Sequence, residues 1–265
     1  MRKNWKKTIK ELIPPLFLRL SRGLFYGWHG NYISWSKAID KCAGYDSQTI
    51  LEKVRISTLK VKEGFAVYER DSVLFDTIEY SFPLLAGLMW ISARNNGKLN
   101  VLDFGGSLGS TYFQNKAFLD SLSDVNWCIV EQPGFVKTGI EFFENDKLHF
   151  FYSVEECLKS FEIDVIIFSS VLQYLEEPFA LLDQIKSTAI NNMIIDRTPF
   201  IKGDDRITIQ KVNPRIYRGS YPCWFFNKRK FISRIKSEYK VVLEFDALDK
   251  ANIPSEFKGL ILQKK

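Results

Sequence analysis

The sequence has no apolar run long enough to cross a membrane. Its longest, residues 82–93, spans about twelve residues, whereas a transmembrane helix needs about 20, so this stretch predicts a buried helix. A secretory leader is not expected, because Arg19 and Arg22 interrupt the apolar stretch after Pro14 and Pro15 and no small-residue cleavage site follows. We therefore expect a cytoplasmic protein without membrane-spanning segments.

Cysteine and histidine are both scarce. The 4 cysteines lie far apart and form no Cys-x-x-Cys pair, which predicts buried, reduced thiols rather than disulfides. The 2 histidines are His29 and His149, and Cys, His, Asp and Glu nowhere cluster at metal-ligand spacing. We therefore expect no metal.

Acidic residues are depleted only at the start of the chain. Residues 1–23 contain seven Lys and Arg side chains against Glu11. Subtracting these from the 37 basic and 31 acidic residues leaves 30 of each, so the net charge of +6 is local. Nucleic-acid binders usually spread Lys and Arg over a folded face. The distribution therefore argues against nucleic acid and favours an anionic surface that the N-terminus meets.

The N-terminal arm, residues 1–26, has an amphipathic pattern. Two short helices, 1–13 and 15–26, are predicted on either side of the proline pair. Apolar residues recur every three or four positions among Lys and Arg: Trp5, Ile9, Leu12, Leu16 and Leu20. This pattern predicts a helical segment in an anionic bilayer interface, which would make the protein peripheral on the inner face of the membrane. A solvated, partly packed helix and a protein partner are the alternatives.

Residues 27–96 form a front section that we predict to be α-helical. It begins with a turn-rich patch at 27–32 that contains Gly27 and Gly30. Helices are then predicted at 34–41, 46–60 and 72–94, the last of them kinked near Pro83.

From Lys98 the sequence alternates short apolar runs with helical segments, which is typical of a parallel sheet with crossover helices. The continuous apolar character of the runs suits strands that are covered on both faces. Five strands are predicted, at 100–104, 126–130, 148–152, 164–169 and 193–196. The predicted fold class is therefore α/β, with residues 97–265 as the main domain.

The pattern changes after Pro199. A polar, β-prone stretch at 206–212 precedes an aromatic segment at 217–226, and together they indicate an insertion at about 200–226. A helix at 228–238 and two strands at 240–246 and 258–263 follow. The last two strands are close enough in sequence to pair antiparallel.

The strongest local signal is the glycine-rich turn after the first predicted strand. The strand ends in Asp103, and the chain then turns through Gly105, Gly106 and Gly109 into a helix. Glycines let a ligand approach the backbone, and the N–H groups of the helix face it. Phe104 occupies a position where a dinucleotide fingerprint requires glycine. The turn therefore predicts a cofactor loop without that fingerprint; a plain packing turn is the alternative.

Polar side chains follow the later predicted strands at the same edge of the sheet. Glu131 ends the second run, where a carboxylate can accept hydrogen bonds from both ribose hydroxyls of an adenosine cofactor. Ser153 follows the third run, where it meets an adenine or caps the next helix. The fourth run ends in Ser169 and Ser170, where ligands bind outside the carboxyl ends of strands.

These motifs resemble a family of class I S-adenosylmethionine methyltransferases that are often encoded among bacterial surface-polysaccharide genes. The similarity covers nearly the whole chain and is carried by residues 44–46, 68–71, 103–115, 127–132, 169–175, 195–199 and 220–224. It implies a Rossmann-like sheet of seven strands with the last antiparallel, S-adenosylmethionine as cofactor, and Gln132 beside Glu131 in its site. Ser107 departs from the family's loop, where a glycine is common.

Methyl transfer requires positioning in a dry pocket, and a base only where the acceptor must lose a proton. Asp196 closes the fifth run at the same edge as Asp103 and Glu131, so we predict that it is the acid–base or acceptor-binding residue. Arg197 is expected to bind an anionic group of the acceptor, with a strand-end salt bridge as the alternative. His29 is a second catalytic candidate, and His149 is expected to be structural.

Two further groups are candidates for the acceptor side. Glu69, Arg70 and Asp71 either roof the acceptor site or cap and brace a helix. Tyr221 and Trp224 lie in the aromatic segment, where aromatic faces suit sugar rings and core packing is the alternative.

Three hypotheses of function follow. The first is O-methylation of a saccharide or lipid-linked saccharide, in which the substrate is implied by the resemblance alone. The second is a nucleotide-sugar oxidoreductase or epimerase, against which Phe104 argues. The third is a non-catalytic module that recruits polysaccharide enzymes to a membrane.

Overall fold

The computed structural model describes residues 26–45 and 47–265. The helices predicted at 1–13 and 15–26 lie outside the described residues, as does nearly all of the arm. Among the helices that are described, none combines the length and the apolar character that crossing a membrane requires.

The described residues form thirteen strands and eight α-helices. The strands are β1 (Gly27–Tyr32), β2 (Gly44–Tyr45), β3 (Tyr68–Arg70), β4 (Val73–Phe75), β5 (Lys98–Phe104), β6 (Asp124–Val130), β7 (Leu148–Phe151), β8 (Val165–Ser169), β9 (Asn192–Ile201), β10 (Arg206–Lys211), β11 (Gly219–Asn227), β12 (Tyr239–Asp246) and β13 (Glu256–Lys264). The helices are α1 (Trp35–Ile39), α2 (Ser47–Lys62), α3 (Phe82–Arg94), α4 (Ser110–Leu119), α5 (Pro133–Phe142), α6 (Val154–Ser160), α7 (Pro178–Lys186) and α8 (Lys228–Ile235). A 3₁₀ turn covers Leu172–Tyr174.

Seven of these strands form a central sheet in the order β7-β6-β5-β8-β9-β13-β12. The first five in that order are parallel to one another. Strand β13 is antiparallel to both of its neighbours, β9 and β12. This arrangement confirms the predicted α/β, Rossmann-like sheet with an antiparallel last strand. The five predicted parallel strands are all present, and β9 continues beyond its predicted end to Ile201.

The middle of the central sheet, at β5, β8 and β9, is buried on both faces because apolar residues there occupy successive positions. Along β8, Val165 and Ile167 pack into a core cluster on one face, whereas Ile166 and Phe168 pack into a different cluster on the other. This alternation is the two-residue period of a strand. Helices therefore cover both faces, and polar ligands have access only at the strand ends.

The front section differs from the prediction at residues 27–32. The turn-rich patch is strand β1, which pairs antiparallel with β10. Hydrogen bonds to a strand nearly 180 residues away stabilise a glycine-containing segment that has little β propensity of its own. The front section thus contains four short strands as well as helices.

The helix predicted at 72–94 begins only at Phe82. Residues Tyr68–Arg70 and Val73–Phe75 form a β-hairpin instead. Its turn holds Asp71 and Ser72 at positive φ of 52° and 65°, which interrupts a helix. Pro83 lies in the first turn of α3 rather than at a kink, because that position needs no backbone N–H donor.

The aromatic segment predicted at 217–226 forms most of β11, which extends the sheet sideways. Phe226 pairs in parallel with Phe200 of β9, and β11 then pairs with β10 and β2. Trp35 and Ala38 of α1 cover one face of this extension against Ile207 and Ile209. The extension therefore has a small core of its own, beside the carboxyl ends of the parallel strands.

Candidate functional site

A cavity of 1220 Å³ opens at the carboxyl ends of β5, β6 and β8. Twelve of the predicted site residues line it: Arg70, Asp71, Asp103, Gly105, Gly106, Glu131, Gln132, Ser153, Ser169, Ser170, Arg197 and Tyr221. The fold brings these residues together from seven separate segments. The sheet edge thus brings these twelve residues to one cavity, and their roles in binding stay predictions.

The glycine turn forms one wall of this cavity and has no room for side chains. Gly105 has φ of +71°, and a Cβ there would lie 2.6 Å from Cγ2 of Val171. A Cβ on Gly106 would lie 2.6 Å from the carboxylate of Asp103. Gly109, at φ of +100°, leads into α4 behind the cavity. The turn thus presents bare backbone at Gly105 and Gly106.

Asp103 is a buried carboxyl at the end of β5, with 1% of its surface exposed. Trp127 donates a hydrogen bond from Nε1 to Oδ2 of Asp103 at 3.2 Å. The pKa of Asp103 is raised to about 7, chiefly by burial. The hydrogen bond from Trp127 opposes this rise, and the nearby Glu131 adds to it. The carboxyl is therefore prepared to meet a cationic or hydrogen-bonding group.

Glu131 lies immediately after β6, next to the glycine turn. Gln132 donates its backbone N–H to Oε2 of Glu131 at 2.7 Å. Burial raises the pKa of Glu131, and backbone N–H groups of Gln132 and Ser107 lower it. The bond from Gln132 fixes the direction of the carboxylate in the cavity, where its second oxygen can accept bonds from a ligand.

Ser153 lines the cavity and also caps α6. Its hydroxyl accepts a hydrogen bond from the backbone N–H of Glu156 at 3.2 Å. Both interpretations offered by the sequence therefore fit the structure, because capping leaves Ser153 at the wall.

The end of β8 is tied to the end of β9 through Gln173. Its Nε2 donates to Oγ of Ser170 at 3.1 Å and to the carbonyl of Arg197 at 3.2 Å. Ser170 in turn donates its backbone N–H to the carbonyl of Asp196 at 3.0 Å. These bonds hold two strand ends in register beneath the cavity.

Asp196 lines a second, smaller cavity of 50 Å³ that adjoins the first. Arg70, Ser110, Thr111, Ser169 and Arg197 line both cavities. Asp196 is 2% exposed, and burial raises its pKa to about 6. Arg197 donates its backbone N–H to Oδ1 of Asp196 at 2.9 Å. An oriented carboxyl with this pKa can exchange a proton near neutral pH.

Arg197 forms the salt bridge that was the alternative to anion binding. Its guanidinium donates to both carboxylate oxygens of Asp249, at 2.6 Å and 3.2 Å, and lies 3.9 Å from Asp71. Its charge is therefore matched within the protein. Asp249 was missed in the sequence, because it stands between β12 and β13 without any recognisable pattern.

Four residues that line the large cavity have left-handed backbone conformations. Asp71, Ser107, Ser170 and Arg197 have φ between 52° and 57°. Non-glycine residues rarely adopt this conformation, and such strain concentrates at functional sites. The left-handed conformations at these positions cost free energy, which the surrounding hydrogen bonds offset.

Several predicted residues do not line the large cavity. His29 lies on β1 opposite Ile209, and neither cavity includes it. Trp224 stacks between Trp35 and Phe226, and its Nε1 donates to the carbonyl of Leu175 at 3.0 Å. Trp224 therefore packs in the core of the sheet extension, which was the alternative to acceptor contact, and neither cavity includes it.

His149 is half-buried on β7, with its ring 4.8 Å from that of Phe161. Burial lowers its pKa, and neither cavity includes it. These contacts agree with the structural role expected for His149.

Glu69 is buried behind the cavity wall rather than exposed at a roof. It accepts hydrogen bonds from Oγ of Ser110 and from the backbone N–H of Ser72. Ser110 begins α4 directly after Gly109 and lines both cavities. Glu69 therefore connects the β3–β4 hairpin to the glycine turn, a role closer to bracing than to acceptor contact.

We predict that Glu69 makes stability depend on pH. Burial raises its pKa to about 7 from an ordinary value of 4.5. The folded state therefore holds more protons than the unfolded chain between these values, and the free energy of unfolding falls as pH rises from 5 to 8. Glu69→Gln should reduce this fall by about 2 kcal/mol. Urea unfolding of the wild type and the variant at pH 5 and pH 8 measures this difference in the free energy of unfolding.

The control for this prediction is Glu63→Gln, which changes an exposed glutamate just after α2. It should leave the fall in stability at its wild-type size. A Glu69→Gln variant that loses stability with pH as steeply as the wild type would contradict the assignment.

The described residues contain no group of three or more His, Cys, Asp or Glu side chains that could hold a metal ion. All four cysteines are free thiols, and Cys42 lines the cavity.

No family model matches the chain, and no curated protein matches it by sequence. Solved structures with a similar fold include the N-terminal domain of EvdMO1, crystallised in the presence of SAH and D-fucose, at 12% identity. That match covers 84% of this chain and 98% of the other, with a TM-score of 0.48.

Two further matches are methyltransferases from named bacteria. The 1,6-didemethyltoxoflavin-N1-methyltransferase of Burkholderia thailandensis shares 12% identity over 83% of this chain and 91% of its own, with a TM-score of 0.45. The magnesium protoporphyrin IX methyltransferase of Synechocystis PCC 6803 shares 13% identity over 84% of this chain and 99% of its own, also with a TM-score of 0.45.

Proposed function

We propose that this chain is an S-adenosylmethionine-dependent methyltransferase. One observation carries the proposal: a buried strand-end carboxyl, a bare glycine turn and a second strand-end carboxylate line one cavity. These groups are Asp103, Gly105 with Gly106, and Glu131. They stand on adjacent parallel strands whose order places the antiparallel β13 beside β9.

The residues present fit this cofactor. Gly105 and Gly106 line the cavity without side chains, so the amino-acid portion could approach their backbone. Glu131 would hold the ribose hydroxyls, with Gln132 beside it, and Ser153 would meet the adenine. When bound, the cofactor supplies a methyl group on a sulfonium, which is already activated as a leaving group.

The chain's own contribution is to position and deprotonate the acceptor. Asp196 accepts the proton of an acceptor hydroxyl at its carboxylate, whose orientation is set by the backbone N–H of Arg197. Burial keeps water away from this carboxylate, which strengthens its interaction with the hydroxyl. The salt bridge from Arg197 to Asp249 holds the loop after β12 against the end of β9.

The acceptor we propose is a saccharide or lipid-linked saccharide of surface-polysaccharide biosynthesis, methylated at a hydroxyl. This substrate class is implied by the family resemblance. The oxidoreductase alternative is not favoured. A Tyr-x-x-x-Lys spacing does occur at Tyr112 and Lys116, but Tyr112 is 2% exposed and packs in the core against Trp127.

Transfer of label from S-adenosylmethionine to carbohydrate tests the proposed reaction. Purified protein with a tritiated methyl donor and a cell extract should label material that periodate and glycosidases degrade. A Gly106→Val variant is the matched control, since its side chain would collide with Asp103. Label that appears only in protein or nucleic acid would contradict the saccharide acceptor.

We further propose that residues 1–23 hold the enzyme at an anionic membrane, because such acceptors are often lipid-linked. Full-length protein should sediment with vesicles that contain anionic lipid at low salt. Binding should be lost at high salt, because each basic residue near an anionic surface contributes about 1 kcal/mol of electrostatic attraction, which salt screens. Deletion of residues 1–23 should abolish sedimentation and preserve SAH binding. Full-length protein that stays in the supernatant at low salt would point to a protein partner.

A further inference from the structure

Three tyrosines and one glutamine, all uncharged, form a cluster that lines the large cavity beside the strand ends. We call Tyr174, Gln210, Tyr217 and Tyr221 the tyrosine wall; all four line the cavity. Gln210 of β10 and Tyr221 of β11 are direct cross-strand partners. Tyr174 contacts both: its hydroxyl donates to Oε1 of Gln210 at 2.7 Å, and its ring meets that of Tyr221 edge-on at 5.3 Å.

The tyrosine wall is fixed to the strand ends that carry the proposed chemistry. Tyr174 lies on the 3₁₀ turn that follows β8, four residues after Ser170. The neighbouring Gln173 bonds to Ser170 and to the carbonyl of Arg197. A ligand on this wall is therefore held by the segment that also positions the ends of β8 and β9.

The hydroxyls of Tyr174 and Tyr221 remain protonated at physiological pH. Burial raises the pKa of both Tyr174 and Tyr221 well above the ordinary value of a phenol. The hydroxyl of Tyr217 lies 3.0 Å from that of Tyr221. With Tyr174 bonded to Oε1 of Gln210, the Nε2 group of that amide points to no partner within the described part of the chain.

The charges around the cavity disfavour an anionic ligand. Its described lining contains two cations, Arg70 and Arg197, and five carboxyl groups: Asp71, Asp103, Glu131, Glu155 and Asp249. Arg197 is paired with Asp249, and Arg70 faces Glu79 at 4.0 Å. Burial raises the pKa of Asp103 and of Glu131, but the other three carboxyl groups alone outnumber the two arginines. A carboxylate or phosphate on the acceptor would therefore meet an excess of negative charge.

We infer that the tyrosine wall binds a neutral, polyhydroxylated ring of the acceptor, and that Tyr174 and Gln210 determine this specificity. The inference rests on the proposed methyltransferase function and narrows its acceptor. Aromatic edges and faces pack on the apolar face of such a ring, and the Gln210 amide donates to a ring hydroxyl. Acidic sugars and sugar phosphates are rejected, so any phosphate of a lipid carrier lies outside the cavity.

Saturation-transfer NMR with a panel of monosaccharides tests this inference. The probes are neutral methyl hexopyranosides, methyl hexuronates with a free carboxylate, and hexose 1-phosphates, each added with and without saturating SAH. We expect the neutral pyranosides to bind and the two charged classes to bind at least tenfold more weakly. Charged sugars that bind as well as neutral ones would overturn the inference.

Two conservative variants identify the residues. Tyr174→Phe removes one hydroxyl, and Gln210→Leu removes the amide; each should weaken pyranoside binding about fivefold to tenfold, the range for a lost hydrogen bond. The double variant should lose less than the product, because the two side chains bond to each other. Tyr80→Phe, outside both cavities, is the control. SAH affinity should be unchanged in all four variants.

The outcomes separate the inference from the proposed function. Pyranoside binding that is unchanged in both variants, with intact SAH binding, would overturn the role of the tyrosine wall alone. Absence of SAH binding in the wild type would overturn the methyltransferase, and the titrations without SAH would still measure the specificity of the wall.

Discussion

Replacement of Asp196 by asparagine should reduce methyl transfer at least 100-fold, the lower range for loss of a general base, while SAH affinity stays within twofold. The carboxylate is the only group of Asp196 that can take the acceptor proton, and asparagine retains its size and its bond from Arg197. Single-turnover transfer at saturating cofactor and SAH titration measure the two effects.

The pH dependence of kcat/KM tests the role of Asp196 in a second way. Because burial raises the pKa of Asp196 to about 6, kcat/KM of the wild type should fall as pH drops below 6, where the carboxylate becomes protonated. The residual activity of Asp196→Asn should lack this limb. Asp246→Asn, at the exposed end of β12, is the matched control. Full activity in Asp196→Asn would remove this residue as base or acceptor ligand.

Replacement of Glu131 by alanine should weaken SAH binding by about 1.5–3 kcal/mol, the usual value of hydrogen bonds to a charged group, or about 10-fold to 150-fold. The effect is expected because backbone N–H groups of Gln132 and Ser107 hold the carboxylate of Glu131 in place at the cavity wall. Calorimetric titration of folded variant protein measures it.

The control for Glu131 is Glu144→Ala, an exposed glutamate after α5, which should bind SAH as the wild type does. Circular dichroism should show the same fold in both variants. If Glu131→Ala retains wild-type affinity, Glu131 is a surface carboxylate with no part in ribose binding.

The central sheet could be predicted because its signal is local. Each parallel strand contains a short apolar run, as at Val165–Phe168, and the residues that end the runs meet at one edge by topology alone. Asp103 and Glu131 were therefore located from position and residue type, without knowledge of any contact.

The front section could not be predicted because its structure depends on distant partners. Strand β1 exists through its pairing with β10, and the β3–β4 hairpin needs the left-handed turn at Asp71 and Ser72. Neither feature leaves a periodic pattern in the sequence. The expectation that 72–81 is helical is wrong for this reason.

The polar partners inside the site were also beyond sequence reasoning. Asp249 pairs with Arg197 across 52 residues, and Gln210 meets Tyr174 across 36. A single polar residue on a strand or in a loop carries no sign of such a partner. For Trp224 the sequence could not distinguish acceptor contact from core packing, and the structure stacks its ring on Trp35 and Phe226.

The most direct test of the central claim is a calorimetric titration of the full chain with SAH and, separately, with NAD. The glycine turn and Glu131 predict saturable binding of one SAH per chain and no heat from NAD, because Phe104 stands where a dinucleotide loop needs glycine. Saturable NAD binding without any response to SAH would contradict the account.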